Sequence, residues 1–290
     1  MAEALREPPM IRISAIVPTH NRAHTLPRAL TSIREQTSPI DEIIVIDDGS
    51  SDDSADLVAR EFPEVTLIRQ DNRGVSAARN RGILAARHPF IALLDSDDSW
   101  LPHKLATLRQ AAQTNPGFAL YHSDEIWMRR GVRVNPMQKH AKRGGWIFRH
   151  CLPLCAISPS TCLLDKAVLI QLGLFDENLP ACEDYDLWLR LCHRYPVHYV
   201  AEPLVTRFGG HEDQLSQRFP LMDRFRVRAL KRLLEEEALS TDDFVAARDT
   251  LLGKLDILVR GARKHGNQAV IDEFEPLQQH WLTRGEAETC

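Results

Sequence analysis

An open α/β fold, with parallel strands joined by crossover helices and a helical appendage at its C-terminal end, is what the sequence predicts. Three observations predict it. From Arg12 short apolar, β-branched runs alternate with helical patterns. The residues that follow each apolar run are polar, as they are where strands end at a ligand-bearing edge. From Phe219 onward only helical spacing remains.

The elements follow in order. "IRISAIV" (11–17) reads as the first strand, and "TLPRALTSIREQT" (25–37) sets Leu26, Leu30 and Ile33 on one helical face. "DEIIVIDD" (41–48) is the second strand, "SADLVAREF" (54–62) the second helix and "EVTLIRQ" (64–70) the third strand. "GVSAARNRGILAAR" (74–87) gives a third helix and "PFIALLD" (89–95) a fourth strand. Later, "CEDYDLWLRLCHRYP" (182–196) buries Leu187, Trp188, Leu191 and Cys192 on one helical face, and "VHYVA" and "LVTRFG" read as two short strands that close the sheet. Leu230, Leu233, Leu234, Leu251, Leu252, Leu255 and Leu258 then recur at helical spacing, in helices that either pack on the core or pair two subunits. The expected divisions are an N-terminal tail (1–10), a catalytic-type domain (11–218) in two halves (11–100 and 101–218), and a helical segment (219–290).

Composition narrows the class. At 290 residues the chain can bury a full core, and 43% hydrophobic with 26% charged residues is ordinary for a soluble globular protein. A net charge of -4 argues against a nucleic-acid partner. No window approaches a membrane span, and "MAEALREPPM" lacks an apolar signal core, so the expected location is cytoplasmic, with peripheral contact at the inner face of a membrane left open. The six cysteines form no CxxC pair and no zinc spacing, which points to reduced, core-filling thiols.

The strand ends carry the chemistry. They read "PTHNR" (18–22), "DDGSSDD" (47–53), "DNRG" (71–74) and "DSDD" (95–98). Adjacent carboxylates at Asp95, Asp97 and Asp98 repel one another unless a cation sits among them. A divalent metal bridging these acids to a nucleotide diphosphate satisfies them, and an all-oxygen set suits magnesium or manganese; a solvated helix-capping loop is the plainer reading. Asp48 is placed to accept from a base or ribose hydroxyl, although "IDDGS" also fits a turn with a helix cap. There is no GxxxxGK[ST] and no GxGxxG after the first strand, which disfavours phosphate-loop ATPases and dinucleotide redox enzymes. Between Glu125 and Asp165 no acid occurs, while Arg129, Arg130, Arg133, Lys139, Lys142, Arg143 and Arg149 do, forming either a solvated loop or a face for an anionic acceptor or membrane.

"SAIVPTHNR", "IIVIDDGSSDDS", "NRGVSAARNRG", "IALLDSDDSW" and "FDENLPACEDYDLWLRL", in that order, resemble the glycosyltransferase family 2 pattern over roughly residues 12 to 215. The resemblance implies a GT-A fold with a Rossmann-like mixed sheet, a nucleotide-sugar donor (UDP-linked), a magnesium or manganese ion, and inverting transfer to a hydroxyl acceptor. That acceptor would be a glycan, lipid-linked or phosphorylated, in cell-surface polysaccharide or lipopolysaccharide assembly. It further implies that Pro18, His20, Asn21 and Arg22 line the nucleotide pocket, that Asp48 meets the base and that Arg79 lies near the nucleotide. Asp95 and Asp97 correspond to the metal-binding DxD, with Asp98 beside them at the nucleotide; ribose and metal roles among the three acids stay interchangeable. Glu183 and Asp184 match the catalytic acidic pair, with Asp184 as base, and His211 resembles a late histidine that completes the metal shell in some members. His20 departs from the family's frequent tyrosine and leaves the base preference open. The rivals are a nucleotidyltransferase, which should carry a glycine-rich loop where "PTHNR" has none, and a non-catalytic binding module, which has no need of the DSD and ED acids together.

Overall fold

The computed structural model describes residues 11–210 and 219–287. Half of its sheet is parallel: β1 (Ile13–Thr19), β2 (Glu42–Asp48), β3 (Thr66–Gln70) and β4 (Phe90–Leu93). The crossovers that parallel pairing requires are α1 (Leu26–Arg34), α2 (Ser54–Glu61) and α3 (Val75–Ala85). β1 and β2 are buried along their whole length, so both of their faces are apolar. Ile16, Ile44 and Ile46 face one core while Ala15, Val17, Ile43 and Val45 face the other. α1 closes the second core with Leu26, Ala29, Leu30 and Ile33, each of the larger side chains worth about 1.5–3 kcal/mol over exposure. α3 lies so close on β1 that a Cβ at Gly82 would sit 2.4 Å from Ile16 Cγ2, which is why "NRG" ends in glycine.

The second half turns the sheet mixed. It contains β5 (Ser99–Trp100), α4 (Lys104–Thr114), β6 (Leu120–Arg129), β7 (Val132–Val134), α5 (Phe148–Cys151), β8 (Leu163–Asp165), α6 (Lys166–Gln171), α7 (Glu183–Cys192) and β9 (His198–Gly209). The strand order is β3-β2-β1-β4-β8-β6-β9-β5, with β7 hairpinned onto β6. β8 runs antiparallel to both β4 and β6, whereas β9 is parallel to β6. The two short strands expected at 197–201 and 204–209 are one strand, β9, whose register against β6 shifts between Ser123 and Glu125. Most of residues 99–181 escaped the periodicity argument. β6 shows why: His122, Ser123 and Glu125 are all buried, so its inward positions do not look apolar.

The C-terminal helices are α8 (Asp223–Glu236), α9 (Thr241–His265) and α10 (Gln268–Ala287). They pack on the core, one of the two arrangements left open by the sequence. Phe225, Leu230, Leu233, Leu251, Leu255 and Trp281 join one continuous core with Tyr185 and Trp188 of α7. Ser240 caps α9 by accepting from the Asp243 amide, and Gly266 ends it in the left-handed region. No helix among the described residues is long and apolar enough to cross a membrane. Cys151, Cys155, Cys162, Cys182 and Cys192 are free thiols.

Candidate active site

The carboxyl edge of β1, β2 and β4 opens into a cleft of about 750 Å³. Its first wall is two loops laced together. The Asn21 amide donates to Ser50 Oγ, Arg22 N donates to Ser54 Oγ, and Asn21 Oδ1 accepts from Ser51 N at 2.7 Å. Asn21 holds a positive φ of 53° and turns its side chain to this neighbouring loop, so it braces the pocket and does not line it. Pro18, His20 and Arg22 do line it. His20 Nδ1 lies 2.8 Å from the Asp48 carbonyl, and the Asn72 amide is within 3.2 Å of the ring nitrogens. Asp48 reaches the cleft wall, but its carboxylate already accepts from Gln70 Nε2, Arg73 N and Gly74 N, all within 2.9 Å. Its visible task is to fix the turn that starts α3.

The acid pile-up after β4 has a resident cation. Arg79, on α3, is 4% exposed and places NH2 2.7 Å from Asp95 Oδ1 and NH1 2.6 Å from Glu183 Oε1. Burial would lower its pKa, yet the charges of Asp95 and Glu183 win and raise it. Asp98 is turned inward. Its Oδ2 accepts from Ser160 Oγ at 2.7 Å and its Oδ1 from Phe208 N at 3.1 Å, tying the loop to β9. Burial, then the Asp97 and Asp95 charges, push the Asp98 carboxyl well above the usual carboxylate range. The three acids that looked interchangeable in sequence are placed differently: all three line the cleft, but Asp98 is buried and tied to Ser160 and Phe208, while Asp95 and Asp97 are half-buried.

Asp95 and Asp97 are hard oxygen donors on one short loop. Among the described residues no three His, Cys, Asp or Glu side chains converge as a closed cage. Two protein carboxylates are what a magnesium ion uses when water and substrate phosphates complete its shell, so this open donor set fits such an ion. His211 lies outside the described residues.

α7 starts at the cleft floor. Cys182, at φ 62°, ends the preceding turn in the left-handed region, and Glu183 and Asp184 follow at the positive helix end. Glu183 points inward to Arg79; burial, then the Asp184 charge, raise its carboxyl to about 7 against the pull of that guanidinium. Asp184 is half-buried and faces the cleft, its Oδ1 accepting from Tyr185 N at 2.7 Å and its Oδ2 from the Cys155 thiol at 3.2 Å. Burial and Asp184 raise the thiol's own pKa, so Cys155 keeps the proton it donates.

Sequence reasoning missed three contributors. Arg207 of β9 lines the cleft with its guanidinium 5.8 Å from the Trp127 ring and a loose 4.0 Å contact to Glu125. Glu125 is otherwise occupied by Lys142 (3.3 Å), Ser158 and Trp127. Met222 and Arg226 reach the cleft from the start of the helical segment. An arginine within "LVTRFG" at a strand's carboxyl end was the available signal for Arg207; nothing local marks Arg226.

Comparisons with known proteins point to one family. The glycosyl transferase family 2 model matches residues 14–152, which contain the nucleotide-side loops and the DSD but not Glu183 or Asp184. An uncharacterized glycosyltransferase of Rickettsia conorii is 30% identical over 195 residues, covering 67% of this chain and 32% of that protein. One from Nostoc is 37% identical over 120 residues, 40% of this chain and 37% of that protein. The chain spans about a third of the length of the first of these curated relatives. Among solved structures, S. aureus TarS 1-349 in complex with UDP-GlcNAc superposes with a TM-score of 0.68 at 18% identity, covering 88% of this chain and 75% of that one. The family model, the related glycosyltransferases and the shared fold together place this chain in glycosyltransferase family 2, on the GT-A fold.

Proposed function

We propose that the protein transfers a sugar from a nucleotide diphosphate sugar to an acceptor hydroxyl, inverting the anomeric centre. The observation that carries this reading is the convergence on one cleft of Asp95 and Asp97, the Arg79–Glu183 ion pair and Asp184. TarS, the structural neighbour in complex with UDP-GlcNAc, supports a UDP-linked donor. Pro18, His20 and Arg22 form the nucleotide end, with Asp48 setting the turn beside it. Asp95 and Asp97 would hold a magnesium or manganese ion, which when bound offsets negative charge on the diphosphate.

The chain's own groups do the rest. Arg79 fixes Asp95 and Glu183 in one rigid unit, and Arg207 presents a second cation to the charge that develops on the leaving diphosphate. Asp184 takes the acceptor's proton as the hydroxyl attacks from the face opposite the departing group. Glu183 is unsuited to that task because Arg79 and burial occupy it; it positions the arginine. The acceptor enters on the α8 side, past Met222 and Arg226, and the Arg226 guanidinium there suits a phosphorylated or lipid-linked glycan of cell-surface assembly. The test is nucleoside diphosphate release from a panel of nucleotide sugars with metal and with chelator. Metal-dependent release with acceptor is expected. Pyrophosphate release instead would point to a nucleotidyltransferase, and donor binding without turnover would reduce the site to a binding module.

A further inference from the structure

We propose that the β6–β7 hairpin is a docking surface for an anionic lipid membrane. The hairpin closes through Arg130 (φ 51°) and Gly131 (φ 78°), two central residues with positive φ as a type I′ turn demands. β7 pairs only with β6, which is held on its other side by β9 as far as Arg129, so β7 is an edge strand and the turn at Arg130 and Gly131 is the tip of the sheet there. At its tip Arg129, Arg130 and Arg133 are exposed, and Val132 between them is 65% exposed. Trp127 packs against His140 at 5.2 Å, and this returns the following turn to the hairpin with exposed Lys139 and Met137, the latter 61% exposed.

Several exposed arginines elsewhere find carboxylates: Arg34 meets Glu64, Arg69 meets Asp56, Arg228 meets Glu273. Arg129, Arg130, Arg133 and Lys139 have no ion pair among the described residues, and residues 126–164 contain no acid to supply one. Cations flanking exposed aliphatic side chains are the composition that holds a protein at an anionic bilayer: headgroups take the charge, and the acyl boundary takes Val132 and Met137. A soluble polyanion would use the arginines but gain nothing from the two apolar residues. With a net charge of -4, such a surface repels most of the molecule, so it would be met through this patch alone.

Register links the patch to the site. Trp127 pairs with Arg207, which lines the cleft, so the tip lies about 10 Å beyond it, at ~3.3 Å per residue. A docked hairpin therefore brings the cleft mouth to the bilayer. This inference stands on the hairpin alone and does not depend on the transfer chemistry proposed above.

The full chain would be sedimented with vesicles of phosphatidylcholine, with and without a large fraction of phosphatidylglycerol. Binding to the anionic vesicles and release by high salt are expected. Arg129→Ser, Arg130→Ser and Arg133→Ser combined should weaken it about 100-fold, at about 1 kcal/mol per cation. Val132→Ser with Met137→Ser should weaken it about tenfold. Donor binding and thermal unfolding, measured on the same samples, should match wild type because these side chains are exposed. Three results overturn the proposal: no preference of wild type for anionic vesicles, unchanged binding in the arginine variant, or an unaffected serine pair whose binding inorganic polyphosphate abolishes, which would make the patch a site for a soluble polyanion.

Discussion

Replacing Glu183 with Gln removes one charge from the centre of the site while keeping its shape. Glu183 is 4% exposed, 2.6 Å from Arg79, and burial followed by the Asp184 charge lifts its carboxyl from 4.5 to about 7. An acid whose folded pKa is raised contributes stability that is complete below the unfolded value and is lost as pH rises through the folded value, since the folded chain retains a proton the unfolded chain has released. At 1.36 kcal/mol per pH unit, that window from 4.5 to about 7 corresponds to about 3 kcal/mol. Wild type should therefore lose up to about 3 kcal/mol from this group between about pH 4.5 and 7, and Glu183→Gln should lose none of it. Urea unfolding of both proteins at several pH values reads the difference directly. The variant's relative stability should climb with pH by roughly 2–3 kcal/mol and then level off. A difference that stays flat would mean Arg79 keeps Glu183 ionised throughout, and the burial argument would fail. Turnover in the same variant should drop by no more than about tenfold, because the cleft-facing carboxylate is untouched.

Asp184→Asn keeps donor affinity and lowers turnover by ~10²- to 10⁴-fold if its carboxylate is the base, as steady-state rates beside donor titrations will register; normal turnover would remove it from the proton transfer. Asp97→Ala should abolish metal-dependent donor binding, seen as loss of the metal increment in a thermal-shift titration, without altering the unfolding temperature of the ligand-free protein. Lys104 is wholly buried, its Nζ has no hydrogen-bond partner and lies 4.2 Å from the Trp100 ring centroid, and burial pushes it down to about 7. A base with a lowered folded pKa makes stability rise with pH from about 7 toward the unfolded value near 10.5; Lys104→Met should flatten that rise and add about 1–3 kcal/mol at neutral pH by urea unfolding. An equally steep rise in the variant would assign it to another group.

What could be read in advance was whatever rests on local period. Leu26, Leu30 and Ile33 form the buried face of α1 as their spacing required, and the alternating strands and helices as far as β4 fall where apolar runs begin and end. That Pro18, His20, Asp48, Asp95 and Asp97 share one cleft was legible because parallel strands deliver their carboxyl ends to one edge; Arg79, Glu183 and Asp184 were reached only through the family resemblance. The individual tasks of these residues were not legible. Asp95, Asp97 and Asp98 look alike in a string of letters, and only the positions of Ser160 and Phe208, 62 and 110 residues from Asp98, turn the last of them inward. Asn21 has the right neighbours but a left-handed backbone that aims it away from the cleft. β6 hid because a strand whose buried positions are His122, Ser123 and Glu125 has lost the alternation that announces strands.

α7 has two attachments. Its first turn presents Asp184 to the cleft, and its apolar side is clamped by α8, whose own opening residues, Met222 and Arg226, are cleft wall. Heat that loosens the C-terminal helices would therefore reach Asp184 with nothing in between to absorb the slack. Thermal inactivation and melting of that bundle should be a single event, and a chain shortened before Phe219 would lose one rim of its own cleft together with the support of the helix carrying Asp184.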